Sequence, residues 1–154
     1  MQEIAEFRLT GTAEFKGPMT MYMKNKFSFI GLPAPARKQQ SKGLIKASGK
    51  LTLEELLAAI DELYQQSERE YQYVAIDICF ANIKRFSFVE IQVLVQYVTQ
   101  KSWWDSVDAW RRVFGKYMQL HPGEKRQVFE LFYKHSDFWM RAPLFCFSFL
   151  KKKY

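Results

Sequence analysis

Cysteine is nearly absent from this chain of 154 residues: Cys79 and Cys146 are the two, far apart and without metal-ligand spacing. That argues against a disulfide framework or a zinc site, and it suits a reducing compartment. Five prolines and seven glycines are too few for a collagen-like or low-complexity chain. No apolar run approaches the ~20 residues that cross a bilayer, and the longest, at 144–150, is interrupted by Ser148. The first nine residues carry Glu3, Glu6 and Arg8, which no secretory leader would. Period-two alternation is missing outside short stretches, so a sheet is not expected. The expectation left standing is a soluble, cytoplasmic, helical monomer that needs no metal or other cofactor.

What is present fits a folded domain. Hydrophobic residues make up 48% of the chain and charged residues 25%, enough for a packed core at this length. Aromatics are plentiful at 17%. The net charge of +7 is unevenly spread: nine Lys/Arg stand against three Asp/Glu in residues 1–50, three against eight in 51–100, and eleven against five in 101–154. Two basic blocks flanking an acidic one are the footprint of a polyanion-binding surface, or of an ordinary solvated basic face; charge alone leaves both open. Arg69, inside the acidic block, is expected to contribute little to binding a polyanion.

Helical periodicity dominates the pattern. Thr52 with Glu55 forms a capping-box signature, followed by Leu53, Leu56, Leu57, Ile60, Leu63 and Tyr64 at helical spacing. Ser67 with Glu70 repeats the device ahead of Tyr71, Val74, Ala75 and Ile78, so two helices joined by a tight link should form an antiparallel pair. Further helices are predicted over 88–99, 103–118 and 124–135, the last after the break at His121, Pro122 and Gly123. Upstream, Gly17 and Pro18 should open a helix over 19–29, and Pro33 and Pro35 a basic helix running to Lys46. The fold class is therefore all-α. Successive helix pairs suggest an α-solenoid of HEAT-like repeats with a concave basic face, and a compact bundle is the alternative.

One stretch carries more than periodicity. Ser102, Trp103, Trp104, Asp105, Ser106, Val107 and Asp108 resemble the Ser-Trp-Trp-Asp-x-Val-Asp signature of the AlkD-like DNA alkylation repair glycosylases. The segment from Met19 through Tyr22 to Asn25, the basic helix after it, Ser67 to Tyr71 and Asp137 to Arg141 are similar to further stretches of that family. The resemblance runs from about residue 17 to 141. It implies a single repeat domain over 1–154 that lacks the family's C-terminal helices, one of which supplies a second tryptophan opposite Trp104. Pro143 falls where a helix should continue, and the apolar tail after it fits either a truncated or frameshifted product or a natural short variant.

The residues also bear a physical reading. Ser102 is expected to cap the helix at 103–118 with Asp105 at its third position, which gives Asp105 a structural duty. Asp108 lies past that turn and four residues after Trp104, so carboxylate and indole share one helical face. Trp103, Val107, Trp110 and Phe114 form the core stripe. A purine alkylated at N3 or N7 is cationic and leaves as a neutral base without protonation. The enzyme must then stabilise the cationic sugar, which one placed carboxylate does and an adjacent indole face assists. By itself Asp108 reads first as a surface carboxylate paired with Arg111 or Arg112 on its own helix. The resemblance implies catalytic roles for Asp108 and Trp104, and DNA contacts for Arg141, Tyr22 and, beside Tyr22, Lys24. His121 and His135, near helix ends, read as caps or surface residues. The implied partner is double-stranded DNA carrying alkylated purines. The alternatives are a DNA-binding repeat protein without catalysis and a protein-interaction solenoid.

Overall fold

The computed structural model describes residues 2–141, so Pro143, Cys146 and the apolar tail lie outside the described residues. The described residues are all-α, with no strand among them. Among the described residues nine α-helices occur in chain order: α1 Gln2–Ala5, α2 Ala13–Tyr22, α3 Ala34–Ser48, α4 Leu53–Gln65, α5 Arg69–Ala81, α6 Phe88–Val95, α7 Trp104–Leu120, α8 Lys125–Tyr133 and α9 Phe138–Arg141. Tighter 3-10 turns occupy Ile83–Arg85, Gln96–Thr99 and Pro122–Glu124. The chain divides into two compact units, Met1–Asn82 and Ile83–Tyr154.

In the first unit α5 is central and packs against α3 and α4. The Thr52–Glu55 box forms as expected: the Glu55 amide donates to Thr52 Oγ1 at 3.2 Å, and the Thr52 amide donates to Glu55 Oε2 at 2.9 Å. Leu56, Ala59, Ile60, Leu63 and Tyr64 then face the core. At the far end of α4, the Gln72 amide donates to the carbonyls of Tyr64 and Gln66 at 3.1 and 2.7 Å, which ties the turn of the hairpin to α5. α3 buries Ser41, Leu44 and Ser48, while Arg37 leaves the basic face to pair with Asp77 at 3.4 Å.

Two expectations fail here for local reasons. Ser67 does not cap α5, whose N-cap is Glu68. The Glu70 carboxylate, fully buried, instead accepts hydrogen bonds from the amides of Ile30, Gly31 and Leu32 at 3.0, 3.0 and 3.2 Å. The first turn of α5 is thus a docking post for residues 27–32: the Arg69 amide donates to Ser28 O at 2.8 Å, and the buried Arg69 guanidinium lies 3.8 Å from the Phe27 ring centroid. Arg69 is thus a core residue. The helix expected over 19–29 also moves. α2 runs Ala13–Tyr22 with Pro18 inside it and ends where Lys24 and Asn25 take left-handed φ values of 54° and 57°. Gly31 shows why only glycine serves nearby: its φ is +90°, and a Cβ there would meet Thr12 O at 2.2 Å.

In the second unit the expected run over 88–99 splits into α6 and the 3-10 turn Gln96–Thr99. α6 is capped by Ser87 and Glu90, with the Ser87 amide donating to Glu90 Oε2 at 2.6 Å. α7 supplies most of the core: Val107, Trp110, Val113, Phe114, Tyr117 and Met118 are all buried. Trp110 stacks between Tyr97 and Phe114, with centroids 5.9 and 5.7 Å away, and Phe114 meets Phe132 of α8 at 5.1 Å. The Tyr117 hydroxyl donates to Glu124 across the break between α7 and α8, and His121 stacks on the Tyr117 ring at 4.3 Å.

Candidate functional site

α7 begins one residue later than the sequence suggests. Trp103, extended at φ −158° and ψ 169°, is its N-cap, and the Val107 amide donates to Trp103 O at 3.0 Å. Ser106, not Asp105, holds the third helical position, and its hydroxyl accepts from the Trp103 amide at 3.3 Å. Ser102 has another duty: its hydroxyl donates to Val98 O at 2.6 Å and anchors the chain to the preceding 3-10 turn. Lys101, just before Ser102, is left-handed at φ 51°. Asp105, in the first turn, still meets the positive end of the helix dipole.

This start fixes which side chains reach solvent. The apolar stripe from Val107 to Tyr117 turns inward, and Trp104 and Asp108, one turn apart, emerge on the outer side. Trp104 is 51% exposed although it is a tryptophan. Trp103 is half-buried, so the two adjacent indoles divide packing and presentation as the spacing predicts. Asp108 is exposed and forms an ion pair with Arg111 at 3.0 Å. Its local partner is therefore one of the two arginines expected.

Trp104 does not stand alone. The Trp139 centroid lies 5.1 Å from it at an interplanar angle of 72°, and Phe138 lies 5.9 Å away at 88°. Trp139 also meets Trp103 at 5.8 Å. These rings come from α9, which packs on α8 and on the Gln96–Thr99 turn and buries Met140. Asp137 sets its start by accepting from the Trp139 amide at 2.7 Å. Arg141 ends the same helix and is exposed. Sequence reasoning singles out Arg141 in this stretch and passes over Trp139 and Phe138; the available signal was a pair of large rings just ahead of the arginine.

Tyr22 and Lys24 belong to the first unit. Tyr22 closes α2 at 86% exposure, and Lys24 is exposed on the left-handed turn after it, its amide donating to Met21 O at 2.9 Å. The basic character of α3 has a pattern that composition hides. Lys38, Lys42 and Lys46 recur every fourth residue, Lys50 follows past the helix end, and all four are exposed. They line the side of α3 away from Ser41, Leu44 and Ser48, and α3 itself contains no acidic residue. At 1.5 Å per residue the helical part of the row, Lys38 to Lys46, extends about 12 Å. Among the described residues no group of three His, Cys, Asp or Glu side chains could hold a metal ion. No helix there is long and apolar enough to cross a membrane.

The second unit thus holds an exposed indole and an exposed carboxylate one turn apart on α7 with a ring cluster beside the indole, and the first unit carries a row of exposed lysines on α3. A family profile makes the class specific: that of the DNA alkylation repair enzymes matches residues 4–153, and the chain belongs to that family. Among solved structures, a predicted DNA alkylation repair enzyme from Enterococcus faecalis is similar, at 45% identity and a TM-score of 0.87. The likeness covers 89% of this chain and 64% of that one, so the chain spans about two-thirds of its length at most. No curated protein matches the chain.

Proposed function

We propose that this chain is a DNA glycosylase of base excision repair that hydrolyses the N-glycosidic bond of cationic alkylated purines, N3-alkyladenine and N7-alkylguanine, in duplex DNA. The observation that carries the reading is the pair of Trp104 and Asp108, half-exposed on one face of α7, in a member of the DNA alkylation repair enzyme family. The C1′–N bond breaks with both electrons going to the base, which cancels its positive charge. Water adds to C1′ and gives up a proton, leaving an abasic site. Asp108 stabilises the cationic sugar, and the Trp104 face stabilises the cationic base by about 0.5–2 kcal/mol. Arg141 holds a phosphate beside the lesion, and Tyr22 and Lys24 lie against the backbone. The lysine row on α3 supports a phosphate-rich partner. An open surface suits recognition of a lesion that stays in the duplex, in contrast to enzymes that extract the base. A cytoplasmic setting suits the buried, free Cys79.

The ion pair with Arg111 does not oppose this role. An exposed i,i+3 pair contributes about 0–1 kcal/mol, so the carboxylate changes partner at small cost when a cationic sugar arrives. The decisive experiment is Asp108→Asn in a release assay on duplex carrying 7-methylguanine. Release should slow by ~10²–10³, melting should shift by the equivalent of about 1 kcal/mol or less, and binding to undamaged duplex should not weaken. Equal release by the variant and the wild type would remove Asp108 from the chemistry. A second reading, a DNA-binding repeat protein without catalysis, is favoured by the exposed lysine row on α3. It predicts salt-dependent duplex binding with no release by the wild type.

A further inference from the structure

The ring cluster behind Trp104 points to a role for a residue that the proposed reaction does not yet use. An exposed indole on the first turn of a helix has several rotamers open to it, and a stacking surface must be held still before it can select a base. Trp104 is held by rings from a different helix. Trp139 lies 5.1 Å away and Phe138 5.9 Å, neither parallel to it, at 72° and 88°. Trp104 nevertheless remains 51% exposed. Trp139 is itself fixed from three sides: its amide donates to Asp137 Oδ1 at 2.7 Å, its ring meets Trp103 at 5.8 Å and Phe138 at 5.4 Å, and its neighbour Met140 is buried. A half-buried ring that touches both tryptophans of the α7 start, on a helix anchored elsewhere, has the geometry of a brace.

We propose that Trp139 is a positioning residue, which fixes the ring plane of Trp104 so that the indole is already oriented when a cationic base arrives. The proposal rests on the glycosylase reading for its consequence in catalysis and on the ring geometry alone for its mechanical part. α9 thereby has two duties within four residues, since Trp139 orients the indole and Arg141 lies exposed at its end. Trp139 acts through Trp104 and makes no claim on the substrate itself.

The test uses Trp139→Ala and Trp139→Phe in the full chain. With 5-fluorotryptophan incorporated, the Trp104 fluorine resonance, assigned by Trp104→Phe, should shift and broaden in Trp139→Ala, while that of buried Trp110 stays in place. Single-turnover release of 7-methylguanine should fall about three- to tenfold, the amount one aromatic pair supplies, with affinity for undamaged duplex unchanged; Trp139→Phe should recover most of the rate. A Trp104 resonance unmoved by Trp139→Ala would overturn the proposal. So would a variant that loses undamaged-duplex affinity as much as release, because α9 would then matter only as structure. If the wild-type chain releases no base, the glycosylase reading fails by itself, and the Trp104 resonance alone decides the positioning role.

Discussion

Glu70→Gln tests how the amino-terminal arm of the first unit is held. The carboxylate is fully buried and receives three amides, with Oε2 taking Ile30 and Oε1 taking Gly31 and Leu32. A glutamine of the same shape keeps one acceptor oxygen, which can serve Gly31 and Leu32. Its amide nitrogen then faces the Ile30 N–H donor to donor. The loss is one charge-assisted hydrogen bond, about 1.5–3 kcal/mol, together with the weakening of the other two and the desolvation of an unmet amide. A destabilisation of roughly 3 kcal/mol follows. It should appear in a urea titration as a lower midpoint, and in hydrogen exchange as faster exchange at the amides of Ile30, Gly31 and Leu32 before any change at Val74 or Ile78. A variant within about 0.5 kcal/mol of the wild type, with those three amides still protected, would refute the reasoning.

Replacing Lys42 and Lys46 together with glutamine should make the slope of log K against log salt shallower by about two, from a wild-type value of roughly −4 to −5 if four to six phosphates are met, and should leave the fold intact. An unchanged slope in a binding titration would take the row away from DNA. In α6, burial works against ionisation of Glu90, but its hydrogen bonds from the hydroxyl and amide of Ser87 outweigh it and hold the carboxyl below the ordinary value of 4.5. Glu55 is lowered as well, by the amide and hydroxyl of Thr52. A folded-state value below the unfolded one means that this stability is present above pH 4.5 and is lost as the pH falls beneath it. Melting temperature should therefore drop below that pH, and Glu90→Gln should lower it at neutral pH while flattening the acid side.

The sequence shows the all-α class and most of the helices directly, because their apolar stripes repeat at a period that only a helix satisfies. α4 and α7 are the clearest cases, each with an unbroken stripe from its first turn to its last. What it hides is the use of polar side chains over long separations. Glu70 sits three residues after Ser67 and looks like half of a cap, yet its partners are 38–40 residues upstream. Arg69 counts as a surface charge in any tally and is buried against Phe27. At the site, Trp104 and Asp108 are legible as one helical face, whereas Trp139 is not, because its contact with Trp104 depends on the placement of α9 rather than on spacing along α7. Pro18 misleads in the other direction: it suggests a helix start, and α2 has already begun at Ala13.

The attachment of residues 27–32 to the first turn of α5 also sets an order of events in time. Every bond in it joins residues about forty apart, and the Leu9 amide reaches the Tyr71 hydroxyl across 62 residues. The α4–α5 hairpin is local and can form as soon as its own residues exist. The arm before α3 cannot settle until Tyr71 has been made. At about 5–20 residues per second on a ribosome, the stretch near Ile30 waits roughly 2–8 s for its anchor. During that interval α2, which buries no side chain even in the finished structure, has beside it only α3 and residues 30–31, themselves still without their anchor on α5. A nascent chain ending before α5 would contain the whole arm, Tyr22 and Lys24 included, and still lack the buried carboxylate that fixes residues 30–32.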